Sequence, residues 1–182
     1  FYRPHVPLYV PEKWFKMHPL NKVKIPLTQK GDLNDISQYA KDLKTLHHVS
    51  PTHEWMLKNK QWQKITQAYL ASITFADDCV GKVLKALDES PYKKNTLVLL
   101  FSDHGFHMGE KEHWAKRTLW EDGTRVPMMI SAPWLKGNQV CTKPVGLIDI
   151  FPTLLDLTGH KADKRHEGLS LKSLVINSQA KW

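Results

Sequence analysis

The sequence lacks the features that would place it in several large classes of protein. No apolar run approaches the roughly 20 residues that a membrane-spanning helix needs. The only cysteines, Cys79 and Cys141, have no CxxC or zinc-ligand spacing, so we expect two unpaired thiols. There are no internal repeats and no low-complexity segments. What remains, with 41% hydrophobic and 24% charged residues, is the composition of a globular protein with a core.

Negative charge is also scarce, because 26 Lys and Arg stand against 18 Asp and Glu, a net charge of +8. This excess favours an anionic partner. The basic residues are scattered, without a zinc-finger spacing, an aromatic RNA-binding signature or a dense Arg run. We therefore expect no nucleic-acid partner, and a small anionic or polyanionic substrate fits the charge as well.

The chain opens on FYRPHVPLYVP, without a methionine. We interpret this opening as a cut through a longer protein, so the lack of a signal peptide says nothing about the compartment. Residues 1–27 carry five prolines and are predicted to be extended and irregular. Residues 28–61 are polar, with weak periodicity, and are predicted to mix helix and loop.

The rest of the chain alternates between helical and strand patterns. Apolar residues at three- and four-residue steps from Trp62 to Leu87 predict one long helix with an apolar stripe, ended by Ser90-Pro91. Two runs predict buried strands, 97–101 and 126–133, and 145–159 predicts a helix with Gly159 at its C-terminal cap. No clear final element is expected after residue 160. This is an α/β pattern, but two strands are too few for a sheet, so we expect most of the sheet to lie outside the chain.

The stretch TLVLLFSDHG ends an apolar strand on an acid and an imidazole. In open α/β sheets, ligands bind just beyond the carboxyl ends of such strands. Asp103 and His104 offer the oxygen and nitrogen ligands that divalent metals take, although a turn Asp beside a surface His explains the pair equally well. Lys116, before the next strand, could neutralise charge on a bound anion or be an ordinary surface lysine.

Other side chains could also serve a site. His5 lies between prolines in RPHVP, where a rigid backbone would aim its imidazole, although a lone His there is more often structural. Residues 102–125, between the two predicted strands, are predicted to form a loop. Three tryptophans lie in or near this loop and the strand that follows it: Trp114, Trp120 and Trp134. Tryptophan faces suit sugar rings, but packing in the core is the better default interpretation. Three histidines without a carboxylate pattern are interpreted as surface residues: His47, His48 and His53.

The segment SDHGFHMGEKEHWAKRTLWEDGTRVPMMISAP resembles a C-terminal-half segment of the type I sulfatases, in the branch that includes iduronate-2-sulfatase. Three further blocks are similar to that family in the family's order: FYRPHVPLYVPEKWF, QAYLASITFADDCVGKVLKAL, and GLIDIFPTLLDLTG with HEGLSL. The resemblance implies an α/β fold of the alkaline-phosphatase-like superfamily, with a mixed, mainly parallel central sheet flanked by helices. It also implies a calcium-dependent sulfuric ester hydrolase acting on a sulfated carbohydrate.

Carried over by position, the resemblance implies that Asp103 and His104 ligate calcium and that Lys116 contacts the substrate sulfate. His5 would lie on the leaving-group side as a sulfate contact or general acid. Both a hard divalent cation and a lysine would stabilise a sulfuryl group gathering negative charge.

Two features of the family do not occur in this sequence. Its formylglycine nucleophile arises from Cys or Ser in C/S-x-P-x-R, which neither DDCVGK nor QVCTKP matches. Its paired N-terminal aspartates are also lacking, and Asp77-Asp78 falls inside the long helix. We therefore expect residues 1–182 to be the C-terminal part of a sulfatase catalytic domain, inactive alone, whose partner is the N-terminal part of the same protein.

The family also predicts a secretory location: periplasmic, extracellular or lysosomal. Two alternatives stay open: a phosphodiesterase or phosphonate hydrolase of the same superfamily, and a non-catalytic sugar-binding homologue.

Overall fold

The computed structural model describes residues 1–42 and 50–182. The chain divides into two compact units, each formed by two segments. The first unit comprises Phe1–Ser90 and His104–Val126, and the second comprises Pro91–Asp103 and Pro127–Trp182. The predictions for His47 and His48 fall outside the described residues.

Four helices form most of the first unit: α1 (Glu12–Lys16), α2 (Gln38–Asp42), α3 (His53–Lys58) and α4 (Trp62–Asp88). The long helix α4 ends just before Ser90-Pro91, as predicted, because the residue before a proline is driven away from helical geometry. Along residues 1–42 and 50–182, no helix combines the length and the apolarity that crossing a membrane requires.

The apolar stripe of α4 packs against a buried core near the N-terminal end of the helix. There Trp62, Ile65 and Tyr69 pack against a core formed by Met56, Met108 and Trp114. Towards the C-terminal end Val83 and Leu84 are exposed. The fully or nearly fully buried positions of the helix are small or hydroxylated, which allows close packing: Thr66, Ala71 and Ser72.

The prediction of irregular chain over residues 1–27 is wrong in part. This segment contains α1 and a 3-10 turn at Leu20–Lys22, and both pack on α4. Trp14 is buried, and the Gln67 side chain of α4 donates to the backbone carbonyl of His18. Contacts with a distant helix therefore stabilise elements that are too short to form by themselves.

The predicted loop after Asp103 contains regular structure. Strand β2 (His107–Met108) pairs antiparallel with β3 (Trp114–Ala115), and α5 (Glu121–Thr124) follows. The backbone N–H of Gly105 donates to the Gly123 carbonyl at 2.9 Å. Two of the candidate site residues flank this hairpin, His104 before it and Lys116 directly after it.

In the second unit, β1 (Val98–Phe101) pairs antiparallel with β4 (Met128–Ser131). Both strands occur where they were predicted, but burial on both faces is wrong. Three residues of β1 are half-buried and Phe101 is exposed, while β4 alternates between half-buried and exposed residues. Within the described residues each strand has one neighbour, and two strands cannot cover both of their own faces.

The predicted helix 145–159 consists of a 3-10 turn at Leu147–Asp149 and α6 (Ile150–Leu157). Gly159 follows with φ +80°, the left-handed conformation expected of a C-terminal cap. A final helix, α7 (Lys172–Ile176), was not predicted.

A buried hub joins α6 to the HEGLSL segment. The Asp149 carboxylate accepts from the N–H groups of Gly146 and Leu169, both at 2.8 Å. The Thr153 hydroxyl donates to the Asp149 carbonyl and accepts from the Leu171 N–H. These hydrogen bonds therefore hold together the segments GLIDIFPTLLDLTG and HEGLSL, which form the last block of the family resemblance.

Candidate active site

The first unit brings together three of the four predicted site residues around one ammonium group. Lys116 Nζ lies 2.8 Å from His104 Nε2 and 3.1 Å from His5 Nε2. All three side chains are half-buried. Asp103 belongs to the second unit, where it is exposed, so its part in a metal site stays a prediction.

Hydrogen bonds assign the tautomers of both imidazoles. His5 Nδ1 lies 2.7 Å from the Val6 carbonyl, and His104 Nδ1 lies 2.8 Å from the Gly105 carbonyl. A carbonyl only accepts and a lysine ammonium only donates. Each Nδ1 therefore carries the hydrogen, and each Nε2 presents a lone pair to Lys116.

Arg3 holds the segment that carries His5. Its guanidinium donates to the His5 carbonyl and to the Tyr9 carbonyl, each at 3.0 Å. It also lies 5.0 Å from the ring centroid of Tyr2 and 4.9 Å from that of Tyr9, within the range of cation–π attraction. Sequence reasoning considered only the prolines and missed Arg3, although an arginine near two tyrosines was a usable signal.

Two histidines that the sequence analysis did not single out contact the backbone or side chains of the turn around Lys116. His113 is 5% exposed and its Nε2 donates to the Lys116 carbonyl at 2.9 Å. His107 is fully buried, and its Nε2 lies 2.7 Å from the Thr118 hydroxyl. Burial, followed by the proximity of His113, lowers the pKa of His107 below that of an ordinary histidine. The only signal in the sequence was a second and third His in the same loop.

The structure provides part of the donor set that the predicted metal site needs. The tautomer of His104 is the one that ligates a metal through Nε2, with Nδ1 fixed by a carbonyl. That lone pair now accepts from Lys116, so ligation requires the ammonium to withdraw. Within residues 1–42 and 50–182, no group of three or more His, Cys, Asp or Glu is arranged to hold a metal. A calcium site would thus need ligands beyond these.

The tryptophans have different environments. Trp114 is buried in the core, in agreement with the expectation of core packing. Its ring stacks on that of His53, with centroids 6.0 Å apart. The prediction that His53 is a surface residue is therefore wrong, because aromatic rings cover it. Trp120 is half-buried and Trp134 is exposed. Both cysteines are free thiols, as predicted.

Comparison with known proteins decides the family. The family model described as Sulfatase matches residues 1–160. A protein named "Sulfatase" from Formosa agariphila is 46% identical over 98% of this chain and 35% of its own length. The chain belongs to the sulfatase family. An "Arylsulfatase" from Clostridium perfringens is 34% identical to it over 100% of the chain and 37% of its own length. An "Iduronate 2-sulfatase" from Mus musculus is 28% identical over 87% of the chain, in agreement with the predicted branch.

Solved structures confirm the predicted fold class for this sulfatase chain. A phosphonate monoester hydrolase from Silicibacter pomeroyi matches it with a TM-score of 0.79 and 25% identity, over 99% of this chain and 37% of that one. A protein solved with its substrate D-glucosamine-2-N,6-O-disulfate matches with a TM-score of 0.77 and 21% identity, over 99% and 48% of the two chains. The chain spans about a third of the length of its curated relatives.

Proposed function

We propose that this chain is part of a sulfatase that hydrolyses sulfate esters, and that Lys116 and His5 contact the substrate sulfate. The observation that carries the proposal is the convergence of His5 and His104 on the Lys116 ammonium. A cation held between two neutral imidazoles is a ready binding point for an anion. The names of the relatives at 46%, 34% and 28% identity support sulfate as that anion.

The proposed substrate class is a sulfated carbohydrate. The relative named for iduronate, a sugar acid, supports this class. The net charge of +8 is compatible with a polyanionic glycan.

The proposal includes calcium at Asp103 and His104, and a formylglycine in the part of the complete protein that this chain does not contain. Calcium would polarise the sulfate oxygens and neutralise their charge. If His104 Nε2 held the metal, Lys116 would lose one of its two imidazole partners. Its ammonium could then donate to a sulfate oxygen, and His5 could donate to the same anion once its Nε2 has gained a proton.

A second candidate function is phosphonate monoester hydrolysis. The observation that favours it is the fold match to a phosphonate monoester hydrolase at a TM-score of 0.79. Sulfate and phosphonate groups are both tetrahedral anions, so the same ammonium would serve either. The sequence matches to proteins named as sulfatases make sulfate the first choice.

The test compares kcat/KM of the complete protein on an aryl sulfate, a sulfated sugar and a phosphonate monoester. We expect sulfate esters to be preferred. Lys116→Met, which removes the ammonium and keeps an apolar stem, should lower kcat/KM on sulfate esters by roughly 10²-fold or more. Lys136→Met, at an exposed lysine of the second unit, is the matched control and should change nothing. A higher kcat/KM on the phosphonate monoester would contradict sulfate-ester hydrolysis and support phosphonate monoester hydrolysis as the function.

A further inference from the structure

The backbone around Lys116 has an unusual conformation. Ala115 has φ +68° and Arg117 has φ +73°, so residues with side chains occupy the left-handed region on both sides of the lysine. Non-glycine residues adopt such angles only where their surroundings hold them. The direction in which the Lys116 side chain points therefore depends on the contacts that hold this turn in its conformation.

His113 is the side chain that fixes it at Lys116 itself. Its Nε2 donates to the Lys116 carbonyl at 2.9 Å, three residues along the chain. The ring is almost completely buried, so water does not compete for this bond. Lys116 is thus held at both ends, at its carbonyl by His113 and at its ammonium by His5 and His104.

His113 is itself held in place by packing. Its ring meets the His107 ring edge to face, with centroids 5.0 Å apart and an interplanar angle of 84°. His107 in turn bonds the Thr118 hydroxyl at 2.7 Å, two residues beyond Lys116. Two buried imidazoles thus hold the turn, one at the Lys116 carbonyl and one at the Thr118 hydroxyl. Burial and the nearby His113 lower the pKa of His107.

We propose that His113 is a positioning residue for the reaction, and that its hydrogen bond to the Lys116 carbonyl aims the Lys116 ammonium at the substrate anion. This inference rests on the proposed function, because it gives Lys116 its task. His113 acts through the Lys116 carbonyl and not on the reacting atoms. It sets the geometry of the turn, and a small misplacement of a charged group at a reacting centre costs much of its effect.

The experiment is a double-mutant cycle in the complete protein, with kcat/KM on a sulfate ester as the readout. His113→Leu removes the donor and keeps much of the volume, whereas His113→Gln keeps an N–H that can reach the same carbonyl. We expect His113→Leu to lower kcat/KM at least tenfold and His113→Gln to restore most of the loss. In a Lys116→Met background, His113→Leu should lower kcat/KM by less than twofold, because the group that it aims is gone.

The matched control is His18→Leu. His18 is a half-buried histidine of the same unit whose Nε2 lies 2.7 Å from the Thr74 hydroxyl. This variant should lose stability without changing kcat/KM of the folded protein.

Two results would overturn the inference. One is a His113→Leu protein with kcat/KM within twofold of wild type. The other is a His113→Leu loss of equal size with and without Lys116, which would indicate general damage to the fold. If the wild-type protein cleaved phosphonates instead of sulfates, the proposed function would fail, and the same cycle on the phosphonate would still decide the role of His113.

Discussion

His5 and Lys116 are 111 residues apart in the sequence, and His5 Nε2 and Lys116 Nζ lie 3.1 Å apart. The lysine donates to the imidazole, whose other nitrogen is committed to the Val6 carbonyl. A histidine arranged in this way is a hydrogen-bond acceptor on its Nε2 side. It can give a proton to a leaving group only after Nε2 has gained one.

This arrangement leads to a prediction about leaving groups. If His5 is a general acid, His5→Ala should reduce kcat/KM strongly for sugar sulfates, whose alcohol leaves poorly, and weakly for an activated aryl sulfate. Lys116→Met should reduce both, by roughly 10²-fold or more, because its charge meets the sulfate whatever the leaving group. The measurement is kcat/KM for each variant on both substrates. Equal losses for His5→Ala on the two would make His5 a sulfate contact and not an acid.

The calcium proposal makes a prediction about metal content. Asp103→Ala in the complete protein should bind less calcium and lose most of its activity, because calcium usually takes six to eight oxygen ligands and a carboxylate supplies charge as well. Metal analysis after dialysis is the measurement. Asp35→Ala, at an exposed aspartate of the first unit, is the control and should retain wild-type calcium. Full calcium occupancy in Asp103→Ala would remove Asp103 from the ligand set.

The buried His107 predicts a dependence of stability on pH. Burial and His113 lower its pKa in the folded state, although Asp122 and Glu110 act in the opposite direction. As the pH falls through the ordinary histidine value of about 6.5, the unfolded chain takes up a proton that the folded chain does not. Folding stability from this group is therefore present above that value and declines below it.

Denaturant midpoints at pH 7.5 and 5.5 check this prediction. The complete wild-type protein should lose more stability between the two pH values than His107→Gln. His160→Gln, at an exposed histidine, should show the wild-type dependence. An unchanged pH dependence in His107→Gln would contradict the prediction.

The Asp149 hub predicts a loss of stability in the second unit. Asp149 is 7% exposed, and Asp149→Ala leaves the N–H groups of Gly146 and Leu169 without their acceptor. A fully buried donor without a partner costs roughly 1–3 kcal/mol, and we expect a smaller loss here because Gly146 is half-buried and Leu169 is exposed. The free energy of unfolding from urea titration is the measurement, and Asp149→Asn should lose less because it keeps one acceptor oxygen. An Asp149→Ala protein as stable as wild type would show that water replaces the carboxylate.

Local pattern was enough to predict much of the fold. The three- and four-residue spacing of apolar residues predicted α4, and Ser90-Pro91 predicted its C-terminal end, which the structure places at Asp88. Short apolar runs predicted β1 and β4, and Gly159 marks the end of α6. These features depend on residues within a few positions of each other, so periodicity and caps reveal them. Short elements such as α1 and α7 were missed, because their stability comes from packing on distant helices.

The candidate site shows the same division. The sequence by itself provided the candidate site residues, since Asp103, His104, Lys116 and His5 stand in blocks that resemble the family. Only the tertiary structure decided that His5 meets Lys116, and that His113 and Arg3 hold the backbone behind those two side chains. It also decided that His53 is covered by aromatic rings. The physical reason is that hydrogen bonds and ring contacts form between positions that the chain path brings within a few ångströms, and no local periodicity encodes that path.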